Sequence, residues 1–250
     1  MTTIDMATSC LTFTTRRTRA KVRLLCFPFA GGSASVFKHW QKFLSPAIEV
    51  VAIEYPGHGM RMGEPMMSQW EPSLEQFLPE IATLLDKPLA IFGHSMGAVF
   101  AFECVRALWR QYNVNAAHLF VSGARAAHLP FEDQRLYELP DADLLARLGL
   151  LDGTPRELLN NPDVVRMMMP IMRNDMELSG TYRHAYQAPL DCPITALCGD
   201  SDPIVSTEDA AGWQLQTSRK FALKIFHGGH FFINSSFDEV THLITDALQR

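Results

Sequence analysis

Six short apolar runs recur along this chain: Val22–Phe27, Ile48–Ile53, Leu89–Phe92, His118–Ser122, Ile194–Cys198 and Ala222–Phe226. They are rich in β-branched or aromatic residues, and most are bounded closely by Gly, Pro or Asp, as buried strands are. Helical stretches lie between several of them. Ser73–Leu85 places Leu74, Phe77, Leu78, Ile81, Leu84 and Leu85 on one face, and Gly97–Tyr112 behaves similarly. Strands alternating with helices predict an α/β fold, with a mostly parallel central sheet covered by helices on both faces.

One segment breaks the alternation. Residues 130–188 hold no convincing strand but several helical patterns: Asp141–Leu148, Thr154–Asn160, Pro162–Met172 and Arg173–His184. Thr154 is a candidate N-cap with Pro155 at the first helical position, and Asn161-Pro162 marks a second boundary. A crossover needs far fewer than the roughly 55 residues present here. The segment is therefore expected to be a helical lid over the C-terminal edge of the sheet, inserted into a single domain spanning 1–250.

Composition narrows the function classes. At 250 residues, with 47% hydrophobic and 20% charged side chains, the chain is an ordinary globular one. Surface scaling allows it to bury roughly 73% of its unfolded surface. A net charge of −5 argues against general binding to nucleic acid or membrane surfaces. The five cysteines form no C-x-x-C pair and are odd in number, which reads as a reduced, cytoplasmic chain. No apolar h-region opens the sequence, and no run is long enough to span a membrane.

The chemistry centres on Gly93-His94-Ser95-Met96-Gly97, which follows one expected strand and opens a helix. That is the context of a G-x-S-x-G nucleophile elbow, where a sharp turn exposes the serine and glycines let neighbouring backbone come close. A serine nucleophile needs a base, and the base needs an orienting acid; in hydrolases with this elbow the acid precedes the histidine in the chain. The run Ile194–Cys198 leads into Gly199-Asp200-Ser201-Asp202-Pro203, and Ala222–Phe226 leads into His227-Gly228-Gly229-His230. Asp202 sits further into its loop than Asp200 and is favoured as the acid, leaving Asp200 to cap the turn. His230 follows two glycines that let its loop reach over the serine, whereas His227 ends the strand directly. His227 and His230 lack a third ligand at metal-site spacing.

An oxyanion hole completes such a site. One donor is the backbone N–H of the residue after the nucleophile, Met96; the other comes from the loop after an earlier strand. Val22–Phe27 leads into Pro28-Phe29-Ala30-Gly31-Gly32-Ser33-Ala34, where Ala30 is the favoured donor and Phe29 the runner-up. This Gly-rich turn lacks either phosphate-loop pattern. Neither a metal nor an organic cofactor is required.

The blocks CFPFAGGSASVFKHW, IEYPGHGMR, IFGHSMGA, LPDADLLARLGLLDGTP, PIMRNDM, PITALCGDSDPIV and FHGGHFF occur in order from about residue 26 to 232. Together they resemble the type II thioesterases that accompany polyketide and non-ribosomal peptide synthases. The resemblance implies an α/β-hydrolase fold with a helical lid. It also implies hydrolysis of acyl thioesters from the phosphopantetheine arm of carrier proteins, which clears stalled or misloaded chains. It carries the serine, aspartate and histidine onto Ser95, Asp202 and His230, and the oxyanion donors onto Ala30 and Met96. Phe29 departs from the pattern, since the family often has histidine there. The Arg173 and Asp175 pair follows the family pattern and is expected to be structural. A monomer is expected, docking acidic carriers through local basic residues; Lys38, Lys42 and Arg61 are the candidates. The Met-rich stretch from Met167 to Met176 would suit either an adaptable apolar channel or plain helix packing. Within the same chemistry, a medium-chain acyl thioesterase or a carboxylesterase is the alternative; from another class, a non-catalytic carrier-binding module.

Overall fold

The computed structural model describes residues 9–130, 135–151, 153 and 160–249. Seven strands form one sheet in the order β1-β3-β2-β4-β5-β6-β7. They are β1 (Leu11–Phe13), β2 (Val22–Phe27), β3 (Ile48–Ile53), β4 (Leu89–His94), β5 (His118–Ser122), β6 (Ile194–Gly199) and β7 (Phe221–Phe226). All neighbours run parallel except β1, which pairs antiparallel with β3 at Leu11↔Ile53. The expected parallel sheet is present, with three strands extended by one or two residues at their ends. The unexpected strand is β1. Three residues on an edge, two half-buried ones flanking an exposed threonine, carry too little periodicity to register in the sequence.

Side chains alternate across the sheet, and both faces are apolar. Leu25 and Phe27 of β2 point into one core with Phe77 and Leu78, while Leu24 and Cys26 point into the other with Phe37 and Trp40. The first face is covered by α2 (Trp70–Ala82) and α3 (Met96–Tyr112). The second is covered by the short α1 (Trp40–Phe43), by α7 (Phe232–Ser235) and by the C-terminal α8 (Phe237–Leu248). Burial on both sides is what a parallel sheet requires.

Between β5 and β6 lie α4 (Asp141–Gly149) and α5 (Pro162–Thr181); α6 (Thr207–Ala211) follows β6. The helix boundary at Asn161-Pro162 holds: the Asn161 side chain accepts from the N–H groups of Asp163 and Val164, 3.0 and 3.4 Å away. The expected break at Met172 does not exist, because α5 runs through Pro170 without ending. An internal proline costs about 3 kcal/mol in a helix. Here the burial of Met169, Met172, Asp175 and Leu178 along one face offsets that cost. The helix expected over Thr154–Asn160, with its Thr154 cap, lies outside the described residues apart from Asn160. Among the described residues no helix is long and apolar enough to cross a membrane.

Candidate active site

The sheet brings Ser95, His230 and Asp202 together from three different strand ends. Ser95 sits between β4 and α3 with φ 55° and ψ −121°, a strained conformation for a residue with a side chain. The surroundings enforce it. The Ser95 N–H donates to the Ser122 carbonyl at 2.8 Å, tying the elbow to β5. A Cβ on Gly93 would lie 2.0 Å from the Gly97 carbonyl oxygen, and one on Gly97 would lie 2.2 Å from that of Phe27. Only glycines at both positions let the strand, the turn and α3 close this tightly.

His230 Nε2 lies 3.0 Å from Ser95 Oγ, and His230 Nδ1 lies 2.8 Å from Asp202 Oδ2. The Asp202 side chain is fully buried and its Oδ1 accepts from the Ile204 and Val205 N–H groups at 2.9 and 3.2 Å. With one oxygen held by backbone, the other is left aimed at the ring. Asp200 goes elsewhere: it accepts from the Gly228 N–H at 3.0 Å and pairs with the exposed His227 at the same distance. It caps the neighbouring histidine loop and also meets the Ser201 side chain of its own turn. Those contacts hold its carboxyl below the usual range, the Gly228 bond first.

A serine, a histidine and a carboxylate in one hydrogen-bonded line at the C-terminal edge of a parallel sheet are the elements of acyl transfer through a serine. Residues 22–248 match the thioesterase domain family. The chain belongs to that family. It is 36% identical over 230 residues to the gramicidin S biosynthesis protein GrsT of Aneurinibacillus migulanus, covering 92% of this chain and 90% of that protein. To thioesterase PikA5 of Streptomyces venezuelae it is 37% identical over 228 residues, covering 91% and 81%. The solved type II thioesterase BorB from the borrelidin biosynthetic cluster superposes with a TM-score of 0.86 at 32% identity, covering 95% of this chain and 97% of BorB. The expected α/β-hydrolase fold and thioester-hydrolase chemistry follow.

The rest of the thioesterase site surrounds this line. Met96 opens α3, so its N–H has no intrahelical acceptor. Phe29 meets Phe231 and His94 edge-on, with ring centres 4.8 and 5.9 Å apart, and so walls the site where the family often has histidine. His94 is completely buried, with Nδ1 2.9 Å from Ser122 Oγ and its ring 5.1 Å from that of His230. Burial first, then the nearby His230, push it well below the ordinary histidine range. A neutral His94 therefore adds no positive charge beside His230.

Two sequence expectations need correction. Arg61 is not a surface cation: it is buried, donating to the Glu54 carbonyl at 3.1 Å and pairing with Glu64 at 2.6 Å. Lys38 and Lys42 are exposed. Arg173 and Asp175 join separate networks. Arg173 donates to the carbonyls of Tyr137 and Leu139 and to Asp141, tying α5 to the start of α4. Asp175 is fully buried and accepts from the Gly31 N–H and from His58. Of the methionines, Met169 and Met172 are core residues beside Leu144 and Leu148, with Met168 and Met176 packed against them, while Met167 is exposed.

The sequence reading missed the role of Glu54-Tyr55-Pro56-Gly57-His58. Tyr55 Oη donates to the Pro28 carbonyl at 3.1 Å, and Glu54 Oε1 accepts from the Ala34 N–H at 3.0 Å. This block braces both ends of the loop that carries Ala30. A signal existed in the buried-type motif following β3, but its target is visible only once β2 and β3 are adjacent.

Proposed function

We propose that this thioesterase removes acyl groups from the phosphopantetheine arm of carrier proteins, clearing stalled or misloaded chains in polyketide or non-ribosomal peptide assembly. The observation that carries the reading is the hydrogen-bonded line from Ser95 through His230 to Asp202. His230 takes the Ser95 proton as Ser95 attacks the thioester carbonyl, and Asp202 holds the imidazole's tautomer and orientation. The Ala30 and Met96 N–H groups stabilise the tetrahedral oxyanion. Each such donor is worth about 3 kcal/mol of barrier. Thiol leaves, His230 activates water against the acyl-enzyme, and free acid departs.

The helices between β5 and β6 act as a lid, with residues 130–188 as its extent. The relatives named for gramicidin S biosynthesis and for the borrelidin cluster support the biosynthetic assignment. We infer a cytoplasmic monomer; all five cysteines are free and buried, as suits a reducing compartment. Hydrolysis of acyl-pantetheine and acyl-carrier substrates by wild type and Ser95→Ala tests the reading. Ser95→Ala is expected to fold normally and lose turnover by orders of magnitude; activity within about tenfold of wild type would exclude Ser95 as nucleophile.

A further inference from the structure

The loop carrying Ala30 is held at its ends by the segment after β3 and at its centre by α5. The central contact is the unusual one. Asp175 is completely buried, yet its Oδ2 accepts from the Gly31 N–H at 2.7 Å and lies 2.9 Å from His58 Nε2. His58 Nδ1 faces the Pro56 carbonyl at 3.0 Å. A carbonyl can only accept, so Nδ1 carries a proton, and the ring and carboxylate share a further proton between Nε2 and Oδ2. Met172, one turn earlier on α5, lies over Gly31: its sulfur occupies the space a Cβ there would need.

The Gly31 N–H belongs to a peptide with two accessible orientations. The Gly32 N–H donates to the Phe29 carbonyl at 2.8 Å, closing a four-residue turn in which Gly31, third in order, has φ 73°. Positive φ at that position marks a type II turn, which differs from type I by a flip of the central peptide, here Ala30–Gly31. The N–H of that peptide is the one Asp175 holds. Peptide planarity also opposes the Phe29 C=O to the Ala30 N–H, so the turn that engages the former aims the latter outwards.

We propose that Asp175 is a positioning residue for the oxyanion hole: oriented by His58, its carboxylate anchors the Ala30–Gly31 peptide and so holds in place the turn whose first peptide aims the Ala30 N–H at the reacting carbonyl. The inference rests on the reading of Ala30 as an oxyanion donor. It makes α5 part of the catalytic framework, because displacing the helix removes the acceptor that holds the turn.

The test compares wild type with Asp175→Ala and Asp175→Asn on an acyl-pantetheine thioester. It also measures the affinity of an alkyl trifluoromethyl ketone, which forms a tetrahedral adduct with serine, and of an unreactive acyl-pantetheine amide. Asp175→Ala is expected to lower kcat about 10- to 100-fold, short of the 10²–10³ for outright loss of a donor. KM and amide affinity should change little, while ketone affinity falls by the same factor as kcat/KM. Asp175→Asn, whose amide oxygen can still accept from Gly31, should recover part of the loss. Should Asp175→Ala fail to fold, the double variant His58→Leu/Asp175→Leu leaves no buried unpaired charge and is read in its place. Unchanged kcat, or a fall matched by the unfolded fraction with ketone affinity intact, overturns the proposal. Ser95→Ala assayed alongside separates the two failures: activity there removes the serine mechanism itself, whatever Asp175 does.

Discussion

At the scale of single residues, the site turns on two aspartates two positions apart that do different work. Asp202 is buried against His230, and Asp200 is half-exposed and turned towards the neighbouring histidine loop. Asp202→Asn is expected to lower kcat by orders of magnitude, since an amide at that position stabilises the wrong histidine tautomer. Asp200→Asn leaves the line from Ser95 to Asp202 intact and weakens the contact between the two loops. Its expected effect is a small loss of thermal stability with kcat within a few-fold of wild type. Steady-state kinetics and thermal melts of both variants check this; a reversed pattern would transfer the acid role to Asp200. The distinction was partly legible in the sequence, because Asp202 lies deeper in its loop. What sequence could not supply is the pairing of Asp200 with Gly228, which exists because Gly199 lets the two loops touch: a Cβ there would meet the Gly228 carbonyl at 2.3 Å.

Among elements, α5 behaves differently from what its sequence suggests. Proline punctuation at Pro170 argues for two short helices, but one buried face running from Met169 to Leu178 overrides it. Six of the seven strands, by contrast, were legible almost to the residue, since each is a compact apolar run that needs no partner to be recognised; β1 was not. The Asp175–His58 contact was invisible because its members lie 117 positions apart. The contact gives the helix a pH signature. Burial opposes a charge on His58, but the hydrogen bond and charge of Asp175, the Pro56 carbonyl and the charge of Glu54 outweigh it and raise the ring above its ordinary value. Tyr55, edge-on to the ring, is itself raised by burial and stays neutral. A raised folded-state value contributes stability that is complete below the unfolded value near 6.5 and is lost as pH rises through the folded one. The stability difference between wild type and His58→Gln should therefore be largest near pH 6 and shrink towards pH 9. Denaturant melts across that range read it, and a difference independent of pH would show that His58 carries no charge in the folded protein. Truncating the other partner in Asp175→Ala should cost about 3–5 kcal/mol, the usual penalty for leaving a buried charge unpaired.

Across the whole molecule, the central strands are buried more deeply than α4, which follows β5 in the chain. Strand β5 is buried at four of its five positions and paired on both sides, whereas α4 buries only Leu144 and Leu148. Local opening draws on regions with few buried contacts. Amide hydrogen exchange over 135–149 should thus be faster than over 118–122, and equal protection would make this segment part of the core instead of a lid. α5, pinned through Asp175 to the loop carrying Ala30, should exchange more slowly than α4. Access to Ser95 would then be governed by the outer part of the insertion, while the inner helix would keep the loop carrying Ala30 in register.

Recognition of the carrier belongs to the same scale, because it involves charge spread over the surface. A thioesterase that clears many kinds of acyl chain must take its selectivity from the carrier more than from the acyl group. Carriers are typically acidic, and this chain is itself net negative, so attraction has to be local. With Arg61 buried against Glu64, the remaining candidates are Lys38 and Lys42, exposed beside α1 just beyond the oxyanion loop. Such steering acts on association rate and is screened within about 8 Å at physiological salt. Acyl-carrier protein should therefore show a higher kcat/KM than the same acyl group on a short pantetheine mimic, with the advantage shrinking as salt rises. Lys38→Glu/Lys42→Glu should lower kcat/KM for the carrier substrate several-fold and leave the mimic unchanged, since neither side chain touches the line from Ser95 to Asp202. Equal efficiency on both substrates at low salt, across several acyl chains, would instead identify a hydrolase of free thioesters.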